Sequence, residues 1–144
     1  MSNKIPGFRQ MSGSFGTIWW DGERIFEIIS FDSKIVANRE DVIVDIDVDS
    51  KMLSLKGEGS FKIRKVYSRG LQKFVKAWQK GKDPRSQLIA KLDDPDAFGS
   101  ERTIINNVWF NEVTLMQFEK AQKLEREFPF GFTPSDVEFP DLVA

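Results

Sequence analysis

Asp41–Lys51 reads DVIVDIDVDSK. Asp45, Asp47 and Asp49 occupy every second position, and Val42, Val44, Ile46 and Val48 alternate with them. Such a stretch suits a metal-binding loop, an ordinary strand or part of an assembly surface. A period of two is the period of a β-strand, so a strand is expected over Val42–Val48, with carboxylates on one face and aliphatic groups on the other. The calcium reading fits poorly. Counted from Asp45, the sixth position of an EF-hand loop would be Ser50 instead of glycine, and the twelfth would be Lys56 instead of a bidentate glutamate. An extended chain also spaces its carboxylates along a line and does not wrap them round an ion.

The neighbouring segments extend the β pattern. In SFGTIWWDGERIFEIISF, Asp21-Gly22 is a two-residue turn signal between aromatic and β-branched runs, which predicts a hairpin. MLSLKGEGSFKIRKVY reads as extended, with a bulge or bend expected at Gly57 and Gly59. A long extended hairpin is therefore expected over about residues 38–66. SQLIAKLDD and RTIINNVWFNEV read as strands. VTLMQFEKAQKLERE fits a short helix or an irregular strand. Phe128, Phe130 and Phe132 alternate as one buried face, and Pro129 points to an edge or a bulge.

One helix stands out, over about residues 68–80. Leu71, Phe74, Val75 and Trp78 share a face at helical spacing, and Arg69, Lys73, Lys76 and Lys80 gather on the other. Ser68 is the expected N-cap and Gly81 the stop. The fold class that follows is mainly β: a rolled antiparallel β-sandwich or barrel with one flanking helix, in one domain spanning residues 1–144.

Composition narrows the chemistry. The chain of 144 residues has no Cys and no His, which excludes disulfides, thiolate nucleophiles, Cys/His zinc sites and imidazole proton transfer. The acidic group Asp93, Asp94 and Asp96 around Pro95 has the makeup of a polar turn. Gly57-Glu58-Gly59 lacks the third glycine of a phosphate-binding fingerprint. No enzyme, cofactor or metal is expected. The start MSNKIPGFRQ has no apolar segment of the secretory kind, and no run approaches the ~20 residues of a membrane span, so folding in a cytoplasm without a membrane anchor is expected.

The net charge of −1 conceals an asymmetry. Residues 1–50 carry 5 basic and 9 acidic side chains, residues 51–85 carry 11 and 2, and residues 86–144 carry 5 and 11. Segments of opposite sign attract within a fold or between copies, and a basic middle also attracts phosphates. The basic helix face is thus open to three readings: a solvated surface, a nucleic-acid contact, or a dock for acidic protein such as another copy of the chain.

Three long stretches carry a resemblance. SGSFGTIWWDGERIFEIISFDSKI, KGKDPRSQLIAKLDDPDAFGSERTIINNVWFNEV and EREFPFGFTPSDVEFPDLV resemble, in order and spacing, the tail tube proteins of contractile phages and phage-tail-like particles of the PBSX prophage type. The resemblance implies a structural subunit without an active site. It implies hexameric rings stacked into a hollow tube, a surrounding sheath whose contraction drives the tube through a target envelope, a baseplate initiator, a tape-measure protein in the lumen, and DNA passing through the lumen in a phage. It places the protein in a virion or a bacteriocin-like particle assembled in the host cytoplasm. It also implies a connection reaching towards the neighbouring ring across Arg39–Gly59. From this, Val42, Val44, Ile46, Val48, Met52, Leu53 and Leu55 are expected at contacts between subunits. Arg69, Lys73, Lys76, Lys80, Asp45, Asp47 and Asp49 are expected to form a charged assembly surface. The competing reading is a monomeric β-domain that binds nucleic acid through the basic helix face.

Overall fold

The computed structural model describes residues 4–143. Its strands are β1 (Gly16–Trp20), β2 (Glu23–Arg24), β3 (Ile28–Val44), β4 (Asp47–Arg64), β5 (Ser86–Leu92), β6 (Glu101–Phe110), β7 (Glu125–Phe132) and β8 (Val137–Asp141). They form one antiparallel sheet in the order β2-β1-β5-β6-β7-β4-β3, with β8 added against β6. The sheet rolls so that β1 and β7, three strands apart, pack their side chains into a common core. The expected mainly-β architecture is the one observed.

The core is aromatic. Trp20 on β1 lies 5.1 Å from Phe110 and 5.4 Å from Phe128, measured between ring centroids. Phe61 stacks on Phe128 at 5.1 Å, and Phe74 meets Phe110 edge-on at 4.7 Å. These offset and edge-to-face contacts are the geometries that ring quadrupoles favour. The Trp20 indole N–H donates to Ser86 Oγ at 3.1 Å, so its one polar atom is satisfied inside the core. Phe128, Phe130 and Phe132 are all buried, as their alternation predicts.

The first hairpin turns where Asp21-Gly22 predicts. Both residues have positive φ, 52° and 84°, and Trp20 faces Glu23 across the turn. Other expectations need correction. The helix is shorter than residues 68–80: a π-helical turn at Leu71–Val75 leads into α1 (Lys76–Gln79). Gly70, not Ser68, precedes it, at φ 82°, and the neighbouring Arg69 side chain ties this segment to Glu27 in the turn before β3. Gly57 and Gly59 mark no bulge. A Cβ on either would strike Phe132 or Phe130 of the adjoining β7, so these glycines permit close packing. The bulges lie instead at Ile29, an extra residue on β3, and at Leu53, an extra residue on β4.

Pro129 is not on an edge strand, since β7 lies between β4 and β6. The Pro129 carbonyl accepts from Asn111 N, so its ring nitrogen also faces β6, just where the β6–β7 ladder ends at Phe110–Phe130. No ladder bond is lost there. The segment after β6 forms neither helix nor strand through residue 124.

Candidate assembly surface

The β3–β4 hairpin dominates the surface. Its paired residues run from Ile28–Ile63 at the base to Val44–Asp47 at the tip. β7 pairs with β4 only from Gly57 to Arg64, so among the described residues the outer part of the hairpin rests on no other strand. Two-stranded ribbons are at best marginal alone in water. Every residue from Lys34 to Lys56 is exposed, including Ile43, Val44, Ile46, Val48, Met52, Leu53 and Leu55.

Val42–Val48 is not one strand, which corrects the expectation from its alternation. The chain reverses at Asp45-Ile46, with Asp45 at φ 55°. Aspartate tolerates this left-handed conformation better than most residues, so the turn forms without glycine. Cross-strand partners share a face. Val42 and Val44 oppose Asp49 and Asp47, while Ile43 opposes Val48. The expected apolar face is therefore divided: Val42 and Val44 on one side, Val48, Met52 and Leu55 on the other, Ile46 in the turn and Leu53 in the bulge. The second side also carries Ile35 and Ile43 and continues the face of Phe31 and Phe61, so it extends the core face into solvent. Ile35 and Val36 were missed because the hairpin was expected to begin at residue 38, and Ile43 because one unbroken strand over Val42–Val48 would set it on the face opposite Val42, Val44 and Val48.

The aspartates are separated as well. Asp45 is in the turn, and Asp47 and Asp49 share a face with Val44 and Val42. Asp49 Oδ1 accepts from the Ser50 backbone N–H at 2.7 Å. Among the described residues no cluster of three or more acidic side chains is arranged to hold a metal ion. Asp94 acts as a turn residue. Its carboxylate accepts from Asp96 N and from Ser12 N, each at 2.9 Å, pinning the N-terminal segment to the β5–β6 loop.

The basic helix face is largely neutralised by the chain itself. Arg69 Nε donates to Glu27, and its Nη1 lies 3.3 Å from Glu23. Burial pushes the Glu27 carboxyl up, but the hydrogen bond from Arg69, a backbone hydrogen bond and the Arg69 charge together outweigh it and hold the group below its ordinary value. Burial likewise acts against the Arg69 charge, and its bonds to Glu27 and Glu23 leave it raised. Lys73 Nζ sits 2.7 Å from Asp21 Oδ2, which also accepts from Ser86 Oγ. Asp21 is raised by burial and lowered further by bonds from Lys73, Gln87 N–H and Ser86, for a net decrease. Only Lys76 and Lys80 of the four keep an exposed ammonium without an ion pair among the described residues. The expected stripe is thus two fastening groups and two free ones.

The remaining apolar surface is extensive. Six of the 13 phenylalanines are exposed: Phe8, Phe15, Phe26, Phe98, Phe118 and Phe139. Between β1 and β3, at the open seam of the rolled sheet, runs a groove of ≈ 960 Å³. Sequence reading could not find it, since it arises from the closeness of residues far apart in the chain.

A family model described as "Phage tail tube protein" matches residues 3–141. The phage-like element PBSX protein XkdM of Bacillus subtilis (strain 168) is 29% identical over 131 residues, covering 88% of this chain and 89% of that protein. Among solved structures, the tube terminating cap of the anti-feeding prophage superposes with a TM-score of 0.68 at 9% identity, covering 99% of this chain and 94% of the cap chain. A chain of the sheath-tube complex of the extracellular contractile injection system PVC, in its extended state, gives 0.67 at 10% identity, covering 97% and 93%.

Proposed function

This chain belongs to the phage tail tube protein family, and from that premise we propose that its copies close into six-membered rings whose stacking builds a hollow tube. The protein is a structural tube subunit of phage-like particles or contractile injection systems, not an enzyme. The single domain is the repeating unit. Its partners are further copies of itself, an outer sheath, a baseplate initiator below and a tape-measure protein in the lumen. In an infectious particle DNA crosses the same lumen through contacts indifferent to sequence. Assembly takes place in the host bacterial cytoplasm.

The observation that carries this reading is the projecting hairpin. Its outer part presents apolar side chains on both faces and at the tip, which a monomer leaves in water at a cost of about 25 cal/mol per Å². Among the described residues no strand pairs with the outer edge of β3. A long unpaired edge invites further strands, and a closed ring of copies satisfies it without unlimited growth. Val42, Val44, Ile46, Val48, Met52, Leu53 and Leu55 supply contacts between rings, with Asp45, Asp47 and Asp49 setting their polarity. Arg69 and Lys73 serve the subunit's own fold, leaving Lys76 and Lys80 for an acidic partner surface.

Negative-stain electron microscopy of the purified protein at rising concentration tests the proposal. Rings or tubes are the expected result. A protein that stays monomeric at all concentrations, and binds DNA with a steep salt dependence, would establish the nucleic-acid reading instead.

A further inference from the structure

The strand register gives the subunit two ends. β3 runs from Ile28, opposite Ile63, to Val44, opposite Asp47, roughly 50 Å at the usual rise. At the end away from the hairpin tip, three connecting segments meet. Arg64 N donates to the Glu27 carbonyl and Lys65 N to the Leu124 carbonyl, both at 2.9 Å. Arg126, buried on β7 opposite Ile63, donates from Nη2 to the Gln117 carbonyl at 2.9 Å. The turn before β3, the segment after β4 and the loop before β7 are thereby fastened to the last rungs of the ladder.

These fastened segments turn apolar groups outward. Phe26, Val66, Tyr67, Met116 and Phe118 are each 61–76% exposed. The charges beside them are mostly basic. Arg24, which stacks on Phe26 at 4.6 Å, and Arg64, Lys120 and Lys123 are exposed and have no ion-pair partner among the described residues. Of the carboxylates nearby, Glu23 and Glu27 are engaged by Arg69 and Glu125 by Lys62, which leaves Glu119. The hairpin tip has the same apolar character and the opposite charge. Residues 39–51 carry five acidic and two basic side chains, none of them ion-paired among the described residues. Ile43, Ile46 and Val48 among them are 66–98% exposed.

We propose that the apolar, basic end built by these three segments receives the acidic hairpin tip of a second copy stacked on it. The inference rests on the tube reading and names the surface of the next copy that covers the hairpin. The occupant follows from the match of properties: apolar groups beside unpaired cations at one end of the chain, apolar groups beside unpaired carboxylates at the other. Complementary surfaces at opposite ends make a head-to-tail contact, which repeats along an axis. Two like ends would set cations against cations or carboxylates against carboxylates, so the charges also give the stack one direction.

A charge exchange tests this contact. The tip variant carries Asp41→Lys, Asp47→Lys and Asp49→Lys; Asp45 is kept because its φ of 55° suits aspartate. The end variant carries Arg64→Glu, Lys120→Glu and Lys123→Glu. Alone, each variant opposes like charges at every stacked contact, and should need about tenfold or more of the wild-type concentration to form tubes. Mixed in equal amounts, each supplies the charge that the other lacks, and tubes should return within about threefold of the wild-type concentration. Circular dichroism checks that both variants are folded. An end variant that forms tubes as the wild type does, or a mixture of folded variants that stays unassembled, would overturn the contact while leaving the tube reading intact. Normal tubes with loss only of binding to added sheath would assign this end to the sheath and overturn it as well. If the end variant does not fold, Arg64→Gln with Lys120→Gln and Lys123→Gln replaces it; a rise of about threefold in the concentration needed for tubes is then expected, and no rise overturns the proposal. A wild-type protein that never forms tubes would remove the tube reading and this inference together.

Discussion

Over Gly57–Arg64 the second strand of the long hairpin is paired on both sides, by β3 and by β7; over Asp47–Lys56 it is paired by β3 alone. Both halves alternate apolar and polar residues, the inner through Phe61 and Ile63 between Ser60, Lys62 and Arg64, the outer through Val48, Met52 and Leu55 among Asp47, Asp49, Lys51 and Lys56. Their fates differ. In the inner half Phe61 and Ile63 are each 1% exposed, whereas in the outer half Val48 is 66% exposed. Strand propensity therefore built the whole hairpin, but only the inner half has a third strand and a layer of rings to rest on. What a residue contributes there is packing against neighbours more than backbone preference. The outer half is a ribbon of good β-formers that needs another surface, and a tube offers that surface in the next copy.

The contrast is broken most severely at the inner half. Phe61 contacts Trp20, Phe31, Phe110, Phe128 and Phe130, so Phe61→Ala empties the centre of the core. A loss of about 3–5 kcal/mol is expected. Thermal unfolding followed by circular dichroism should show a large fall in the midpoint or no cooperative transition. A shift of only a degree or two would mean that the hairpin base is not part of the core.

Gly57 marks the boundary between the halves. A Cβ there would come within 2.6 Å of the Phe132 carbonyl oxygen and press on its ring. Gly57→Ala forces β4 and β7 apart just where the third strand ends, at a cost of up to about 3 kcal/mol. Denaturant unfolding measures this, and an equal penalty for Ser54→Ala, three residues outward, would erase the boundary.

The body has a second fastening that the outer hairpin lacks. Glu27 and Arg69 join the turn before β3 to the segment before the helix. Because the folded Glu27 and Asp21 carboxyls lie below their ordinary values of 4.5 and 3.8, their stabilisation is complete above those values. It is lost as the pH falls through them towards the folded pKa values. The melting midpoint should decline from pH 5 downward, and Glu27→Gln should flatten part of that decline. At pH 7 the same variant should lose about 2 kcal/mol, since Arg69 keeps only Glu23. A variant whose pH profile matches that of the wild type would show that the pair contributes nothing to folding.

These contrasts also explain what could be read in advance. Asp21-Gly22, the alternating Phe128, Phe130 and Phe132, and the strands at Ser86 and Glu101 were legible because turn chemistry and period two are local signals. The reversal at Asp45-Ile46 was not, because it contains no glycine and the alternation on either side runs through it without a break in composition. Gly57 and Gly59 were seen as special but assigned to a bend. Their cause is Phe132 and Phe130 of β7 and, at Gly59, also the Asp32 carbonyl of β3, which no window reveals. Arg69 and Lys73 fitted a basic stripe by helical spacing, yet their carboxylate partners come from the first hairpin, some forty to fifty residues away. The groove belongs to the same class of feature, since residues of β1, β3, β5 and β6 that are far apart in the chain line it.

The smallest effect on the subunit should come from the outer half of the hairpin. Val44 is 52% exposed and Ile46 98% exposed, and neither contacts the core cluster. Val44→Asp with Ile46→Asp should therefore change the unfolding free energy of the isolated subunit by no more than about 0.5 kcal/mol, the range for surface sites without special roles. Assembly should respond differently. Each aliphatic group, if covered in the tube, contributes about 1.5–3 kcal/mol, and the loss recurs at every copy. The two new carboxylates would also join Asp45, Asp47 and Asp49, crowding like charges at one tip. Calorimetry of the monomer together with electron microscopy at matched concentration separates the two effects. An unchanged melt with tubes abolished would show that the outer hairpin is held for its neighbour. An unchanged melt with normal tubes would show that the tip stays in solvent after assembly. A collapsed melt would mean that the outer half supports the core after all, and that the boundary at Gly57 is wrongly placed.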